Sequence, residues 1–221
     1  MYKYIIMCGG NSVKCETPRQ LLKINGEIIV QRTIRLLREN GIEDIYISSN
    51  NPLFEDQGVP VLHHDNVYES AGYDMCLAGH WANAFYPTDE PTVYLLGDVV
   101  FSPAAIRTII DTQTTDIMFF GSAYPFAPEY PKWYIEPFAF KVYNTDHLHQ
   151  AVEDVKRLTK EGRFGRQPIA WEVWNVISRG PNGNVNEIDP NSYVHINDYT
   201  CDIDHPNEVE ILERLAKRAD F

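Results

Sequence analysis

The 221-residue chain is poor in cysteine, in positive charge and in long apolar runs, and each shortage narrows what it can be. Its cysteines, at positions 8, 15, 76 and 201, lack the close paired spacing of a zinc site or a disulfide framework, so reduced thiols are expected. No apolar run approaches the roughly 20 residues that cross a bilayer. The N-terminal run is stopped by glycine too early for a signal peptide, so a soluble, cytoplasmic protein is expected. Lys and Arg number 19 against 31 Asp and Glu, a formal net charge of −12, which argues against a general nucleic-acid surface. One nucleotide held through a metal and a few local cations remains compatible with that charge. Gly-x-Ser-x-Gly, Walker-type and Cys–His nucleophile patterns are absent, so covalent catalysis has little support.

What is present begins at the N-terminus. Ile5-Ile6-Met7 leads into Cys8-Gly9-Gly10-Asn11-Ser12, a polar loop follows with Lys14 and Arg19, and the chain turns apolar again at Leu21. Glycines let a backbone approach a ligand, and successive N–H groups form an anion-binding concavity. Lys14 and Arg19 can offset phosphate charge. Alone, the same pattern also describes an ordinary tight turn.

Further along, short β-rich runs at Ile42–Ser48, Val59–Leu62, Thr92–Leu96 and Ile117–Phe120 alternate with helical periodicity at Ile29–Asn40, Ala71–Phe85 and Pro103–Asp111. Asn25-Gly26 is a turn signal, and Ser102-Pro103 reads as an N-cap with proline at the first helical position. This rhythm predicts an α/β fold with a mostly parallel sheet and helices on both faces, with ligands beyond the carboxyl ends of the strands. Later elements are expected at Phe138–Val142 (strand), Asp146–Glu161 (helix capped by Asp146), Pro168–Ile177 and Pro206–Arg218 (helices). A single domain over 1–221 is expected. Residues 1–120 are expected to form its first part, 121–200 an insertion-like substrate-side region, and 201–221 a closing segment with the last helix.

Asp98 follows Val93-Tyr94-Leu95-Leu96-Gly97. A carboxylate just past a buried strand suits a divalent cation, and it equally suits a strand-terminating turn. Asp202 and Asp204 flank Ile203, so in an extended segment both point to one face. Asp204 or His205 could equally cap the last helix. The histidines show no zinc-ligand spacing. The proline- and aromatic-rich Tyr124–Tyr134 segment reads as a long shaped loop on the substrate side, with Glu136 and Lys141 beyond it. Lys141 would meet an anionic group of a substrate, such as a phosphate, or be a solvated strand-end lysine.

Taken together, the chain resembles the nucleotidyltransferase superfamily, which includes sugar-phosphate and alcohol-phosphate nucleotidyltransferases and the molybdenum-cofactor guanylyltransferase type. The resemblance rests on the loop Cys8–Lys14 with Thr17-Pro18-Arg19-Gln20-Leu21-Leu22-Lys23-Ile24-Asn25-Gly26, on Leu96-Gly97-Asp98, and on Asp202-Ile203-Asp204-His205-Pro206. It implies a Rossmann-like α/β/α sandwich of the nucleotide-diphospho-sugar transferase type. It also implies Mg²⁺-dependent transfer of a nucleoside monophosphate from a nucleoside triphosphate to a phosphorylated small molecule such as a sugar or alcohol phosphate, with release of pyrophosphate.

On this resemblance Cys8, Gly9, Gly10, Asn11 and Ser12 bind nucleotide, and Lys14 and Arg19 are catalytic. Asp98, Asp204 and Asp202 hold Mg²⁺, and Lys141 and Glu136 face the acceptor. No nucleic-acid or membrane partner is implied, and a homodimer is allowed. Lys14 stands where the family usually has Arg, Arg19 where it usually has Lys, and Ser12 where glycine is common. CTP is slightly favoured, because Asn66–Leu77 resembles the Ser-Leu helix entry of cytidylyltransferases for phosphorylated alcohols. The rival readings are a metal-dependent glycosyltransferase of the related GT-A fold, which would carry Asp-x-Asp near mid-chain, and a non-catalytic nucleotide-binding relative.

Overall fold

The structure, a computed structural model, describes residues 2–9, 17–64, 84–122, 134–164, 170–180, 189–205 and 207–218. Strand β1 (Lys3–Met7) is the middle of its architecture, and its residues alternate between two apolar layers. Ile6 joins Val93 and Leu95 under helices α1 (Ile29–Glu39) and α2 (Pro103–Asp111), which contribute Val30, Ile34, Leu37, Ile106 and Ile109. Ile5 and Met7 point the other way, into a layer closed by α3 (Thr145–Lys160) and α4 (Ala170–Arg179) through Leu148, Val152, Val155 and Trp174. The result is a Rossmann-like α/β/α sandwich, as the strand–helix rhythm predicts.

Between the layers runs a seven-stranded sheet ordered β10-β8-β9-β6-β1-β4-β5. The strands beside β1 are β4 (Ile45–Ser48), β5 (Val61–Leu62), β6 (Thr92–Leu96), β8 (Ile117–Gly121), β9 (Pro137–Val142) and β10 (Tyr193–His195). β1 pairs in parallel with β4 and β6, and β10 with β8, while β9 runs antiparallel between β6 and β8. The carboxyl ends of β1, β6 and β8 and the start of β9 therefore share one edge.

Two small additions frame that edge. Lys23–Ile24 (β2) and Glu27–Ile28 (β3) form a hairpin whose turn residues Asn25 and Gly26 have φ of 50° and 84°, as an Asn-Gly two-residue turn requires. Val99–Val100 (β7) pairs antiparallel with Cys201–Asp202 (β11). Helix α5 (Asn207–Arg218) closes a satellite core of Ile24, Ile29, Val100, Cys201, Ile203 and Leu212.

The helix over Pro103–Asp111 forms as expected, with the Ser102 hydroxyl accepting from the Ala105 amide. Helix α3 is capped by Asn144, whose side chain accepts from the His147 amide, and Asp146 lies inside its first turn. The helix expected over Ala71–Phe85 lies, up to residue 83, outside the described residues. β7, β10 and β11 have no counterpart in the sequence pattern. Among the described residues no helix is long and apolar enough to cross a membrane.

Candidate active site

Gly97 and Asp98 leave β6 directly beside the end of β1, the Gly97 amide donating to the Met7 carbonyl at 3.0 Å. A Cβ built on Gly97 would stand 2.7 Å from both Cys8 Sγ and the Met7 carbonyl oxygen, and 3.1 Å from Cγ of Gln20. Glycine is therefore required by close approach of two strands and the turn carrying Arg19. Asp98 is thus delivered to the carboxyl edge of the sheet.

Arg19 starts a short 3-10 turn, Arg19–Leu21, just after Pro18. Its Nη2 lies 2.9 Å from Asp98 Oδ2, and its Nη1 donates to Asp204 Oδ1 at 2.6 Å and to the Ile203 carbonyl at 3.0 Å. One guanidinium thus bridges the end of β6 and the closing segment, a geometry that suits the planar fork of arginine. The Asp98 carboxylate foremost, with Asp204 and Asp202, pushes the Arg19 guanidinium above its already high pKa against the opposing effect of burial. It is a fixed cation.

The closing segment is brought there by backbone pairing. Asp202 lies opposite Val99 in the β7–β11 ladder, and the Ile203 amide donates to the Asp98 carbonyl at 3.0 Å. Beyond it, Glu208 Oε2 accepts from the amides of Asp204 at 2.7 Å and His205 at 3.1 Å. A first-turn carboxylate reaching back to residues before its helix is a capping-box contact. Here it also fixes the backbone that carries Asp204.

From the acceptor side, Glu136 and Tyr134 reach the same place. Carboxylate oxygens of Glu136, Asp202 and Asp204 lie within 4.8 Å of one another, and the Tyr134 hydroxyl donates to Asp204 Oδ2 at 3.1 Å. Glu136 and Asp202 are buried and Asp204 half-buried. Glu136 is held by its own strand start, its amide donating to Ser122 Oγ at 2.8 Å while the Ser122 amide donates to its carbonyl at 2.9 Å. The indole of Trp171 donates to the Ile135 carbonyl one residue before it.

Of the residues singled out in the sequence, the structure thus gathers Arg19, Asp98, Asp202, Asp204 and Glu136, with Cys8 beneath. Cys8 is 2% exposed, and burial, then the Asp98 carboxylate, pushes its thiol pKa well up, so it is a neutral packing group under Gly97. Gly9 is half-buried at the strand end, whereas Gly10, Asn11, Ser12 and Lys14 lie outside the described residues.

Lys141 is not brought to this group. It pairs with Val93 and Met118, near the starts of β6 and β8, and is 1% exposed. Its ammonium donates to the carbonyls of Ile109 at 3.0 Å and Ile110 at 2.6 Å and lies over the Tyr2 ring. It caps the carboxyl end of α2, at the opposite edge of the sheet from Asp98. Neither a solvated strand-end lysine nor a contact to the acids describes it. The residues that pattern reading passed over are Tyr134 as an Asp204 partner and Glu208. The second had a local signal, an acidic residue three positions after the His205-Pro206 helix start.

This edge sets a fixed cation among convergent carboxylates at the carboxyl ends of parallel strands, where α/β folds bind their ligands. The MobA-like NTP transferase domain matches residues 4–168. The chain belongs to that family and is a nucleotidyltransferase. No curated protein matches it at a significant level.

Among solved structures it is similar to the 2-C-methyl-D-erythritol 4-phosphate cytidylyltransferase of Thermus thermophilus. The identity is 14%, covering 98% of each chain at a TM-score of 0.60. A Bacillus anthracis protein assigned as a glucose-1-phosphate thymidylyltransferase shares 16%, over 100% of this chain and 97% of that one, at 0.58. The inositol-1-phosphate CTP transferase of T. maritima shares 15%, over 98% and 97%, at 0.53. At such identities these likenesses establish the fold.

Proposed function

We propose that this protein transfers a nucleoside monophosphate from a nucleoside triphosphate, CTP in preference, to a phosphorylated sugar or alcohol, with Mg²⁺ as its cofactor. The observation that carries the reading is the pairing of β7 with β11, which sets Asp98 and the Asp202–Asp204 segment around Arg19 at the ligand edge of the sheet. An acceptor phosphate oxygen attacks the α-phosphorus in line, a new P–O bond forms, and the bond to the β-phosphate oxygen breaks to release pyrophosphate. No residue forms a covalent bond, so positioning and charge neutralisation carry the rate. Arg19 takes charge at the α-phosphate, and Lys14 with the backbone of Gly9–Ser12 holds the triphosphate. Glu136 stands on the acceptor side.

An all-oxygen, carboxylate-rich group is the donor set that Mg²⁺ takes; Asp202 and Asp204, which cluster with Glu136, would hold it together with Asp98 on the other side of Arg19. Bound there, Mg²⁺ would neutralise the phosphoryl oxygens. The CTP preference is supported by the resemblance of Asn66–Leu77 to cytidylyltransferases, and two of the similar structures are CTP enzymes by name. The one-domain division into residues 1–120, 121–200 and 201–221 fits this arrangement, with a cytoplasmic site of action.

The test is a matrix of the four nucleoside triphosphates against phosphorylated sugars and alcohols, read as pyrophosphate release, with Asp98→Asn beside the native chain. Acceptor-dependent release, fastest with CTP and reduced on the order of 100-fold or more in Asp98→Asn, is expected. Normal rates in Asp98→Asn with Mg²⁺ would sink the metal assignment. Nucleotide binding by calorimetry without release would favour a non-catalytic relative. Sugar transfer from a nucleotide sugar would favour a glycosyltransferase.

A further inference from the structure

Asp204 is held on three sides. Its Oδ1 takes Arg19 Nη1 at 2.6 Å, its Oδ2 takes the Tyr134 hydroxyl at 3.1 Å, and its amide is fixed by Glu208 at 2.7 Å. Asp98 Oδ2 is in turn engaged by the other arm of Arg19 at 2.9 Å. A divalent cation at Asp98 or Asp204 would compete for carboxylates that Arg19 already engages, and it would stand beside a guanidinium that stays charged at all working pH. Like charges at contact distance disfavour one another strongly where water is partly excluded. Arg19 is 24% exposed and Asp98 15%, so screening there is incomplete.

Arg19 has one set of alternative partners in the proposed reaction, the phosphate oxygens of the triphosphate, which match its fork as well as carboxylates do. The family's usual lysine at this position is a single point charge. Arginine instead reaches both acids at once, one from each Nη. Tyr134 begins the described acceptor-side chain, two residues before Glu136, so its hydroxyl links that side to the same carboxylate.

We propose that Arg19 and Tyr134 close Asp98 and Asp204 to a divalent cation in the free protein, and that a nucleoside triphosphate opens them by drawing the guanidinium onto its phosphates. Protein-bound cation is thereby made conditional on the triphosphate. The exchange moves non-covalent partners only. Arg19 leaves two carboxylates for phosphate oxygens, and the freed carboxylates become ligands. This inference rests on the proposed metal-dependent reaction.

The experiment is Mn²⁺ binding to the full chain, followed by electron paramagnetic resonance of the free ion, without nucleotide and with CTP, the CTP series being read against the same Mn²⁺ and CTP without protein. The native chain is compared with Arg19→Gln, Arg19→Lys and Tyr134→Phe. Without nucleotide the native chain should bind Mn²⁺ weakly, and Arg19→Gln about 10-fold or more tighter, since one released like charge is worth at least that factor in a partly dry site. Arg19→Lys should fall between, because one ammonium cannot span both acids. Tyr134→Phe, a change at an exposed ring that keeps the ion pairs, should tighten binding by roughly 2- to 5-fold for one neutral hydrogen bond.

Equal Mn²⁺ affinity in all four proteins without nucleotide, with binding retained under CTP, would overturn the exchange and leave the metal reading standing. A native chain that binds Mn²⁺ as tightly without nucleotide as with it would do the same. No Mn²⁺ bound by any of the four, with or without CTP, would overturn the metal-dependent reaction itself. Circular dichroism melts of each variant separate loss of binding from loss of fold.

Discussion

The amide of Ile203 donates to the carbonyl oxygen of Asp98 across 3.0 Å, the continuation of the β7–β11 ladder past its last paired residue. That bond makes the two acidic segments one unit, although they lie at distant points of the sequence. Cys201 and Ile203 anchor the unit from below, packed with Val100 and with Leu212 of α5. The placement of Asp98 beside Asp204 therefore depends on how well the last helix is seated.

Glu208 is the most direct handle on that dependence. Its carboxylate accepts from the amides of Asp204 and His205 and lies in the first turn of α5, where negative charge is favourable. Glu208→Ala should cost about 1 kcal/mol of stability, as loss of a cap does. Acting as a positioning residue, it should also lower kcat by roughly 10-fold with little change in the KM for nucleotide, since the loss falls on geometry at Asp204. Glu208→Gln, which keeps an acceptor oxygen, should recover most of the rate. If both variants melt lower but turn over normally, Glu208 is only a cap.

Gly97 tests the floor of the site. A methyl group there would meet the Met7 carbonyl, which is backbone, and the Cys8 sulfur, each at 2.7 Å. Gly97→Ala is expected to cost about 1–3 kcal/mol, the usual range for overpacking, and to displace Asp98. Adding Cys8→Ala removes the sulfur clash but not the carbonyl. Denaturant titration should then show partial rescue. Full rescue would mean that the strand shifts freely and that close approach does not dictate glycine.

How much of this was legible depended on whether the signal was local. Ser102-Pro103 announced α2 and its cap, because a cap is made by residues three apart. Asn25-Gly26 announced its hairpin for the same reason. The acids at 98, 202 and 204 could be picked out by position after strands and by alternation. Their meeting could not, because β7 and β11 are two residues each and are defined only by each other. Lys141 was misread because β9 is buried along its whole length, sandwiched between β6 and β8 and covered on both faces. A lysine in such a strand looks like a surface residue until its partners on α2 are seen. Asp146 was expected to cap α3, but the extended backbone at Asn144 makes that residue the cap and leaves Asp146 inside the first turn.

Alkaline pH should unfold the protein through its buried phenols. Burial foremost raises Tyr4 to about 12 from 10.0 and pushes Tyr94 and Tyr193 higher still. A raised folded pKa means the folded state holds the proton longer. The stability is complete below the unfolded value near 10 and is lost as pH rises through the folded value. For Tyr4 alone this amounts to roughly 2–3 kcal/mol between pH about 10 and about 12. Lys141, pushed down by burial, acts in the opposite sense over part of that window, one group against several. Phenolate absorbance should therefore rise in two stages, exposed tyrosines first and buried ones together with loss of circular dichroism. A single smooth titration with the fold intact would contradict the burial of these rings.

Lys141 can be tested as a buried cap of α2 against the acceptor contact expected of it from the sequence. Its ammonium serves the carbonyls of Ile109 and Ile110 at the carboxyl end of α2, where a cation also faces the negative end of the helix dipole. It stacks over Tyr2 as well. Lys141→Met keeps the length and apolar stem of the side chain but leaves those carbonyls without their donor. The expected cost is about 1–3 kcal/mol, measured by denaturant titration, because a buried acceptor loses its partner. The KM for a phosphorylated acceptor should stay within about twofold, since the side chain stands at the far edge of the sheet from Arg19 and Asp98 and its loss is structural. A tenfold rise in acceptor KM with unchanged stability would return Lys141 to the acceptor site. It would also require β9 to present its opposite end to the ligand, against the antiparallel register that pairs Lys141 with Val93 and Met118.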